Sequence, residues 1–326
     1  MNTRGRILEA LEGRGGFVSG AGLAAGLGIS RAAVWKQIDR LKDEGYAIEG
    51  VRSRGYRLLS RPDSINDHEI SRRLTTAVLG RRLLCLSRTG STNTDAAALG
   101  REGAVEGTVV LANEQTAGRG RLGRQWLSVA GVNLYMSVLL RPPIVPAQAP
   151  QLSLLAGVAV AAALEAEGVD TRIKWPNDVL VGSRKICGVL TEIEAEADHV
   201  GFVVVGMGIN VNSLDKHFPD ELKPIATSIL MESGRASSRA ALAARVLGEM
   251  ETRYQDFCRN GLAAVAAEWT QRSCLSGKEV RVNGPNGEIV GICAGIDSDG
   301  ALLVKQEGGG TAQRILAGDV TMRGGV

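Results

Sequence analysis

Gly118-Arg119-Gly120-Arg121-Leu122-Gly123-Arg124-Gln125-Trp126 alternates three glycines with three arginines and then meets a tryptophan. Glycine lacks a Cβ, so the backbone here can turn tightly and come close to a ligand. Arginine offers a fixed fork of donors that matches phosphate and carboxylate. No Asp or Glu occurs from Gln115 to Leu164, whereas Arg119, Arg121, Arg124 and Arg141 all lie inside. Such a stretch repels itself, which predicts a loop that stays loose until an anion arrives and then closes over it. Gly118-x-Gly120-x-x-Gly123 also matches the dinucleotide fingerprint in form. That fingerprint needs a following helix and an acid about 20 residues on. Here Val132–Leu140 reads as a strand and no acid appears, so a dinucleotide fold is set aside. A solvated basic surface loop is the competing account.

With 326 residues there is room for two or three domains and a sizeable core. Apolar residues make up 44% and charged residues 22%, ordinary values for a soluble globular protein. No signal peptide opens the chain, and the Ala-rich run Leu152–Leu164 is too short to span a bilayer. The five scattered cysteines (Cys85, Cys187, Cys258, Cys274, Cys293) never form CxxC, which points to reduced thiols in a cytoplasm and against structural zinc. With only His68, His199 and His217, histidine-based metal or triad chemistry is not expected. Residues 1–62 hold 11 Lys and Arg against 6 Asp and Glu, while the remainder is slightly acidic. The basic excess thus sits in the first fifth of the chain, a pointer to nucleic acid.

That first fifth reads as a winged helix-turn-helix. Ile7, Leu8 and Leu11 share one face of a short helix. Ser19 caps a second helix that ends at Gly28, and Ser30 caps a third, Arg31–Asp43, with Val34, Ile38 and Leu41 inward. Arg31, Lys36, Arg40 and Lys42 lie on the opposite face, the arrangement of a recognition helix. Ala47–Val51 and Tyr56–Leu59 make two strands around Arg52-Ser53-Arg54-Gly55, a wing whose arginines suit phosphates or the minor groove. The candidate DNA-contacting residues are Gly20, Ser30, Arg31, Ala32, Ala33, Trp35, Lys36, Asp39, Arg52 and Arg54. The alternative is a three-helix unit for protein contacts with a solvated basic face. Arg61-Pro62-Asp63 marks a linker.

In residues 63–272, Asp67–Leu74 reads as a helix, Arg82–Leu86 as a strand, and Ser91-Thr92-Asn93 opens a helix running to Leu99. Those hydroxyls either cap the helix or leave its free N–H groups to a small polar ligand. Thr108–Ala112 and Leu134–Leu140 are strands, and Leu152–Gly168 is a long helix. Arg172–Trp175 is a strand that meets Pro176-Asn177-Asp178, read as a turn, and Lys185–Glu192 returns as a hairpin strand. Lys174 and Lys185 then sit at strand ends; taken alone, Pro-Asn-Asp reads as an ordinary turn and the lysines as edge-protecting. Phe202–Val205 is a buried strand ending in Gly206-Met207-Gly208-Ile209-Asn210, where a ligand can touch backbone. Residues 240–258 and 262–272 read as packing helices.

Taken together, Ser91-Thr92-Asn93, Gln115 with Gly118–Trp126, Lys174–Asp178, Lys185 with Gly188, and Gly206–Asn210 resemble the biotin–protein ligases. With Gly22-Leu23 and Ser30–Val34 added, the chain resembles the bifunctional class that also represses the biotin operon, over essentially its whole length. One departure is Ser128-Val129-Ala130-Gly131, where the family usually has a proline after the serine. The resemblance implies an α+β multidomain fold: a winged helix-turn-helix (1–62), a mixed sheet with helices like the class II synthetases (63–272), and an SH3-like barrel (273–326). The activity implied joins the biotin carboxylate to the α-phosphate of ATP, with Mg²⁺ on the phosphates and no side-chain metal site. Biotin then passes to a lysine of the biotin carboxyl carrier protein, a subunit of acetyl-CoA carboxylase. By the same resemblance, Lys185, Arg121 and Asp178 are catalytic. Ser91, Thr92, Asn93, Gln115, Arg119, Gly120, Arg121, Lys185, Gly188, Gly206 and Gly208 hold biotin. Arg121, Arg124, Trp126, Lys174, Asn177, Lys185, Asn210 and Arg323 meet ATP.

Beyond residue 272, Lys278–Val282, Glu288–Ile296, Ala301–Gln306 and Thr311–Leu316 read as strands between the turns Pro285-Asn286-Gly287 and Asp297–Gly300. The resemblance further implies an adenylate-dependent homodimer through the edge strand Val189–Ile193, bound to operator DNA. Two rivals stand beside this reading: a ligand-sensing regulator without chemistry, and a lipoate-type ligase. A ligase whose DNA unit has lost repression is a third.

Overall fold

A computed structural model describes residues 3–13, 16–196, 199–284, 287–306 and 310–322. The chain divides into two compact units, 1–64 and 65–326.

The first unit contains α1 (Thr3–Glu12), α2 (Gly20–Leu27), α3 (Arg31–Asp43), β1 (Ala47–Val51) and β2 (Gly55–Ser60). Ser19 and Ser30 act as the predicted caps, their hydroxyls accepting from the amides of Gly22 and Ala33. Gly28 closes α2 in the left-handed conformation, φ 68°. Ile7, Leu8, Leu11, Leu23, Val34, Ile38 and Leu41 form the core. β1 and β2 pair antiparallel around the 51–55 turn. Gly55, at φ 99°, lies so close to the Val18 carbonyl that a Cβ there would collide with it.

The second unit opens with α4 (Asp67–Ser71), shorter than the predicted 67–74 helix, then β3 (Arg82–Leu86), α5 (Thr92–Arg101), β4 (Thr108–Ala112), β5 (Leu134–Leu140) and α6 (Gln151–Glu165). There follow β6 (Arg172–Lys174), β7 (Asp178–Val181), β8 (Arg184–Ala195), β9 (Val200–Ile209), α7 (Ile229–Ser233), α8 (Arg239–Asn260) and α9 (Ala263–Arg272). The seven strands lie in the order β3-β4-β5-β9-β8-β7-β6, with only β3 and β4 parallel. Strands β4 and β5 are buried at every residue because helices cover both faces. Val110, Leu139 and Val204 pack with Ala96 of α5. Val109, Val138, Val203 and Val205 pack on the other face with α6 and α8. This two-sided burial is why these strands read as unbroken apolar runs.

Two expectations change here. The apolar segment extends beyond Leu152–Leu164: Pro146–Glu165 is long and apolar enough to cross a membrane, yet most of it is buried inside the protein. And Asp178 belongs to no turn. It is the first residue of β7, a strand missing from the sequence reading, which pairs with β6 at Lys174 and with β8 at Gly188. Two tight turns in close succession made one short strand look like loop.

The C-terminal part adds β10 (Glu279–Gly284), β11 (Gly287–Ile296), β12 (Leu302–Lys305), β13 (Gln313–Ile315) and β14 (Asp319–Met322). They form an antiparallel sheet in the order β13-β12-β11-β10-β14. The strand β14 was not anticipated, since its only deeply buried apolar side chain is Val320. Pro285, Asn286 and Arg323 lie outside the described residues.

Candidate functional site

One cavity of about 450 Å³ opens where β8 begins and β9 ends, beside the arginine loop. Its lining includes Ser91, Thr92, Asn93, Gln115, Arg119, Gly120, Arg121, Arg124, Trp126, Lys174, Asn177, Asp178, Lys185, Gly188, Gly206, Gly208 and Asn210. Residues scattered over 120 positions therefore meet in one place, and Arg323 alone among the small-molecule candidates is outside the described residues.

The floor is built from glycines because side chains from neighbouring strands need the space. A Cβ on Gly206 would strike the Asn93 carboxamide, and one on Gly208 would strike the Trp126 indole. A Cβ on Gly188 would stand 3.0 Å from both Lys185 Cε and Trp126 Cζ3. Glycine here is a space requirement, not a flexibility requirement.

At the inner end, polar side chains hold one another. The amide and hydroxyl of Thr92 donate to Gln115 Oε1 at 2.9 and 3.0 Å, and Gln115 Nε2 donates to Ser128 Oγ. The buried Ser137 hydroxyl lies 2.7 Å from Thr92 Oγ1 and 2.6 Å from Asn93 Oδ1. Asn93 Nδ2 donates to Glu192 Oε2 at 2.7 Å. Ser91 is the N-cap residue of α5, yet its side chain makes no cap bond. The capping reading is not met at Ser91, and of the free N–H groups that the alternative offers to a ligand, the Thr92 amide is taken by Gln115 Oε1. A pocket end with fixed amide and hydroxyl groups is suited to a small polar ring.

At the outer end lie the cations. Lys185 Nζ sits 2.6 Å from Asp178 Oδ1 and 5.4 Å from the centre of the Trp126 ring. The predicted loose loop is instead folded. Arg119 and Gln125 bridge as a small hairpin, and Arg121–Gly123 form a 3₁₀ turn in which Leu122 takes a positive φ of 56°. The physical reason is that carboxylates remote in sequence supply the missing counter-charge. Arg119 Nη2 reaches Glu192 Oε2 at 3.1 Å, Arg124 pairs with Asp319 of β14, and Arg121 lies 4.0 Å from Asp319 and 3.5 Å from Asn177 Oδ1. Arg121 is thus the loop arginine with the loosest ties. The Trp126 indole N–H is buried with no hydrogen-bond partner among the described residues, a donor that a bound ligand can satisfy.

Supporting contacts explain other lining residues. Asn177 Nδ2 donates to the Val189 carbonyl, fixing the β7–β8 junction. Trp175, deeply buried, donates from Nε1 to the Gly300 carbonyl and ties the large sheet to the C-terminal one. Asn210 is set by its amide on the Ile186 carbonyl and by Asn133 Nδ2 at 3.5 Å. Beneath it, the buried Arg239 guanidinium donates to Asn113 Oδ1. Burial pushes the Cys187 thiol well above its ordinary range, with neighbouring Lys185 pulling the other way, so it stays protonated.

Sequence reasoning missed Glu192, Ser137 and Asp319, and also Phe218, Leu222, Ile225 and Ala226, which form an apolar wall of the cavity. Glu192 was legible only as a strand residue, and nothing near Asp319 hinted at a loop about 200 positions away. In the first unit, Arg31, Ala32, Trp35, Lys36, Arg52 and Arg54 are exposed, whereas Gly20, Ala33 and Asp39 are half-buried. Ser30 is occupied as a cap, and the Arg54 guanidinium stacks 4.2 Å over the Phe17 ring.

Comparison with known proteins follows these boundaries. Residues 86–210 match the biotin/lipoate A/B protein ligase family, 3–57 an HTH domain, and 275–323 the biotin protein ligase C-terminal domain. The chain is 42% identical over 307 residues, 94% of each sequence, to the "Bifunctional ligase/repressor BirA" of Bacillus subtilis. It is 34% identical over 324 residues to the protein of the same name from Escherichia coli, covering 99% of this chain and 98% of that one. The biotin protein ligase of Aquifex aeolicus, solved with biotin and ATP, superposes with a TM-score of 0.64 at 32% identity, covering 74% of this chain and 99% of that one.

Proposed function

The chain belongs to the biotin protein ligase family, in the class that carries a helix-turn-helix repressor unit, and from that premise we propose how its own residues do the work. Biotin and ATP are its substrates. The ureido ring of biotin enters the polar end, among Ser91, Thr92, Asn93 and Gln115, and its tail runs over Gly206, Gly208 and Gly188 toward Lys185. ATP occupies the outer end, between Trp126, Lys174, Asn177 and Asn210 and the apolar wall at Phe218 and Leu222.

In the first step a biotin carboxylate oxygen attacks the α-phosphorus, and the bond to the β-phosphate oxygen breaks to release pyrophosphate. Two anions must approach one another, so the rate depends on cations placed where charge builds up in the transition state. Lys185 and Arg121 are the groups suited to this, with Arg119 and Gly120 lining the loop side and Arg124 beside the phosphates. Asp178 and Asp319 are the lining carboxylates that would approach a Mg²⁺ bound with ATP, which would supply screening of the phosphate charge. In the second step a carrier-protein lysine amine attacks the acyl carbon, AMP leaves, and Asp178 orients the amine and takes its proton. Closure of the loop keeps water from the mixed anhydride meanwhile.

The observation that carries this reading is the convergence of Lys185, Asp178 and the arginine loop over a floor of glycines. Incubation with biotin, ATP and Mg²⁺ followed by mass spectrometry for biotinyl-adenylate tests it. No adenylate, or lipoate activated in preference to biotin, refutes it, and pyrophosphate release separates a ligase from a mere sensor. Homodimerisation is supported by β8: beyond Gly188 its only strand partner among the described residues is β9, and Ile193 is exposed there. Adenylate binding draws the folded arginine loop, which touches Glu192 on the same strand, against the ligand, so it favours the dimer and, through it, operator binding. Similar DNA affinity with and without biotin and ATP would refute that link. A lysine of the biotin carboxyl carrier protein is the acceptor.

A further inference from the structure

Resting on the reading of residues 1–64 as the DNA-binding unit, we propose that the Trp35 indole reads thymine, docking on thymine 5-methyl groups in the major groove. Trp35 is 60% exposed and is the only aromatic among the large exposed apolar side chains of the described residues. The other tryptophans are used internally: Trp175 and Trp269 are buried, and Trp126 lines the ligand cavity. An indole left in water forgoes the burial of about 150–250 Å² that an aromatic side chain usually gains on folding. The fold does not require it there, since Val34, Ile38 and Leu41 complete the inner face of α3.

The surroundings specify the occupant. Ala32, three residues earlier on α3, is exposed as well, so the two form a small apolar patch at helical spacing. Arg31, Lys36 and Arg40 around it are exposed, as are Arg52 and Arg54 on the wing. An apolar centre framed by cations complements a surface that is anionic at its rim and apolar at one point. The duplex major groove has that character only at thymine, whose methyl is the one apolar group on any base edge there. The cations take phosphates, which position the helix without reading sequence. Trp35 lies within the first turns of α3, the part of a recognition helix that meets base edges.

The test uses the full chain with biotin and ATP present. A pool of duplexes with a randomised 30-bp core is selected for binding, and each thymine of the enriched duplex is replaced singly by uracil, which removes only the methyl. The wild type is expected to lose about fourfold in affinity at one or two thymines per half-site, the worth of one buried methyl-sized group. Trp35→Ala, checked for folding by thermal unfolding, is expected to bind the thymine and uracil forms alike at those positions, and Trp35→Phe to keep most of the difference. Uniform indifference of the wild type to uracil, or an undiminished methyl effect in Trp35→Ala, overturns the proposal. Failure to enrich any duplex overturns the DNA-binding reading itself.

Discussion

Replacing Glu192 by Gln tests whether the arginine loop and the ring end of the cavity are held by one carboxylate. Glu192 Oε2 accepts from Asn93 Nδ2 at 2.7 Å and from Arg119 Nη2 at 3.1 Å. Because both donors are on the same oxygen, a glutamine keeps that acceptor but removes its charge. The Asn93 bond then falls from charge-assisted to neutral, a loss of about 1 kcal/mol. The Arg119 pair is about half exposed on the arginine side and a third exposed on the glutamate side, and so adds only about 0.2–1 kcal/mol. Together these release about 1–2 kcal/mol of orientation at the end where the ring is held, a five- to thirtyfold weakening of biotin binding. Isothermal titration with biotin alone reads this directly, before any chemistry. Biotin affinity within twofold of wild type would refute the coupling, as would an equal loss on titrating ATP alone.

Other outcomes follow from the same geometry. Lys185→Ala is expected to fold but lose about 3–4 kcal/mol of transition-state stabilisation, roughly a hundred- to thousandfold in pyrophosphate release; a near wild-type rate would remove Lys185 from its role. Arg121→Gly should release biotinyl-adenylate into solution, seen as free adenylate after gel filtration, and unchanged retention would argue against a closing flap. Gly208→Ala places a methyl where the Trp126 indole lies and should displace it, read as a change in tryptophan emission together with weaker ATP binding; identical emission would refute the packing. All five cysteines have raised pKa values, burial being the first cause in each, with Cys85 at about 12. A thiol reacts as thiolate, which is scarce below a raised pKa, so at pH 8 the native protein should titrate slowly with a disulfide reagent and react fully once unfolded. Rapid native reaction of any cysteine would contradict its burial.

What was legible in the sequence was what local pattern controls. Ser19, Ser30 and Gly28 mark helix ends by their own chemistry, and the recognition-helix pattern survived intact. Glycines and arginines at close spacing marked the loop, and their meeting with Lys185 and Asn93 followed from resemblance. Hidden were features that depend on distant partners. Asp319 sits in a four-residue strand with one core side chain, too short for any periodicity, and its role comes only from β14 pairing with β10 beside the loop. β7 was concealed because its two bounding turns merged into one. The loop was expected to be loose because its own stretch lacks acids, and sequence distance concealed that Glu192 and Asp319 would fold back to meet it.

That internal pairing changes what ligand entry means. The arginines are not vacant when nucleotide arrives: Arg119 is held by Glu192 and Arg124 by Asp319, so with ATP at the outer end as proposed its phosphates would displace Asp319, and entry would be an exchange of partners with little net change in charge contacts. ATP affinity should therefore fall less steeply with ionic strength than three unpaired arginines would dictate. On the same proposal the exchange would work in reverse once biotin has been handed on: Asp319 is at hand to reclaim Arg124, which would favour departure of AMP and reset the enzyme for another turnover.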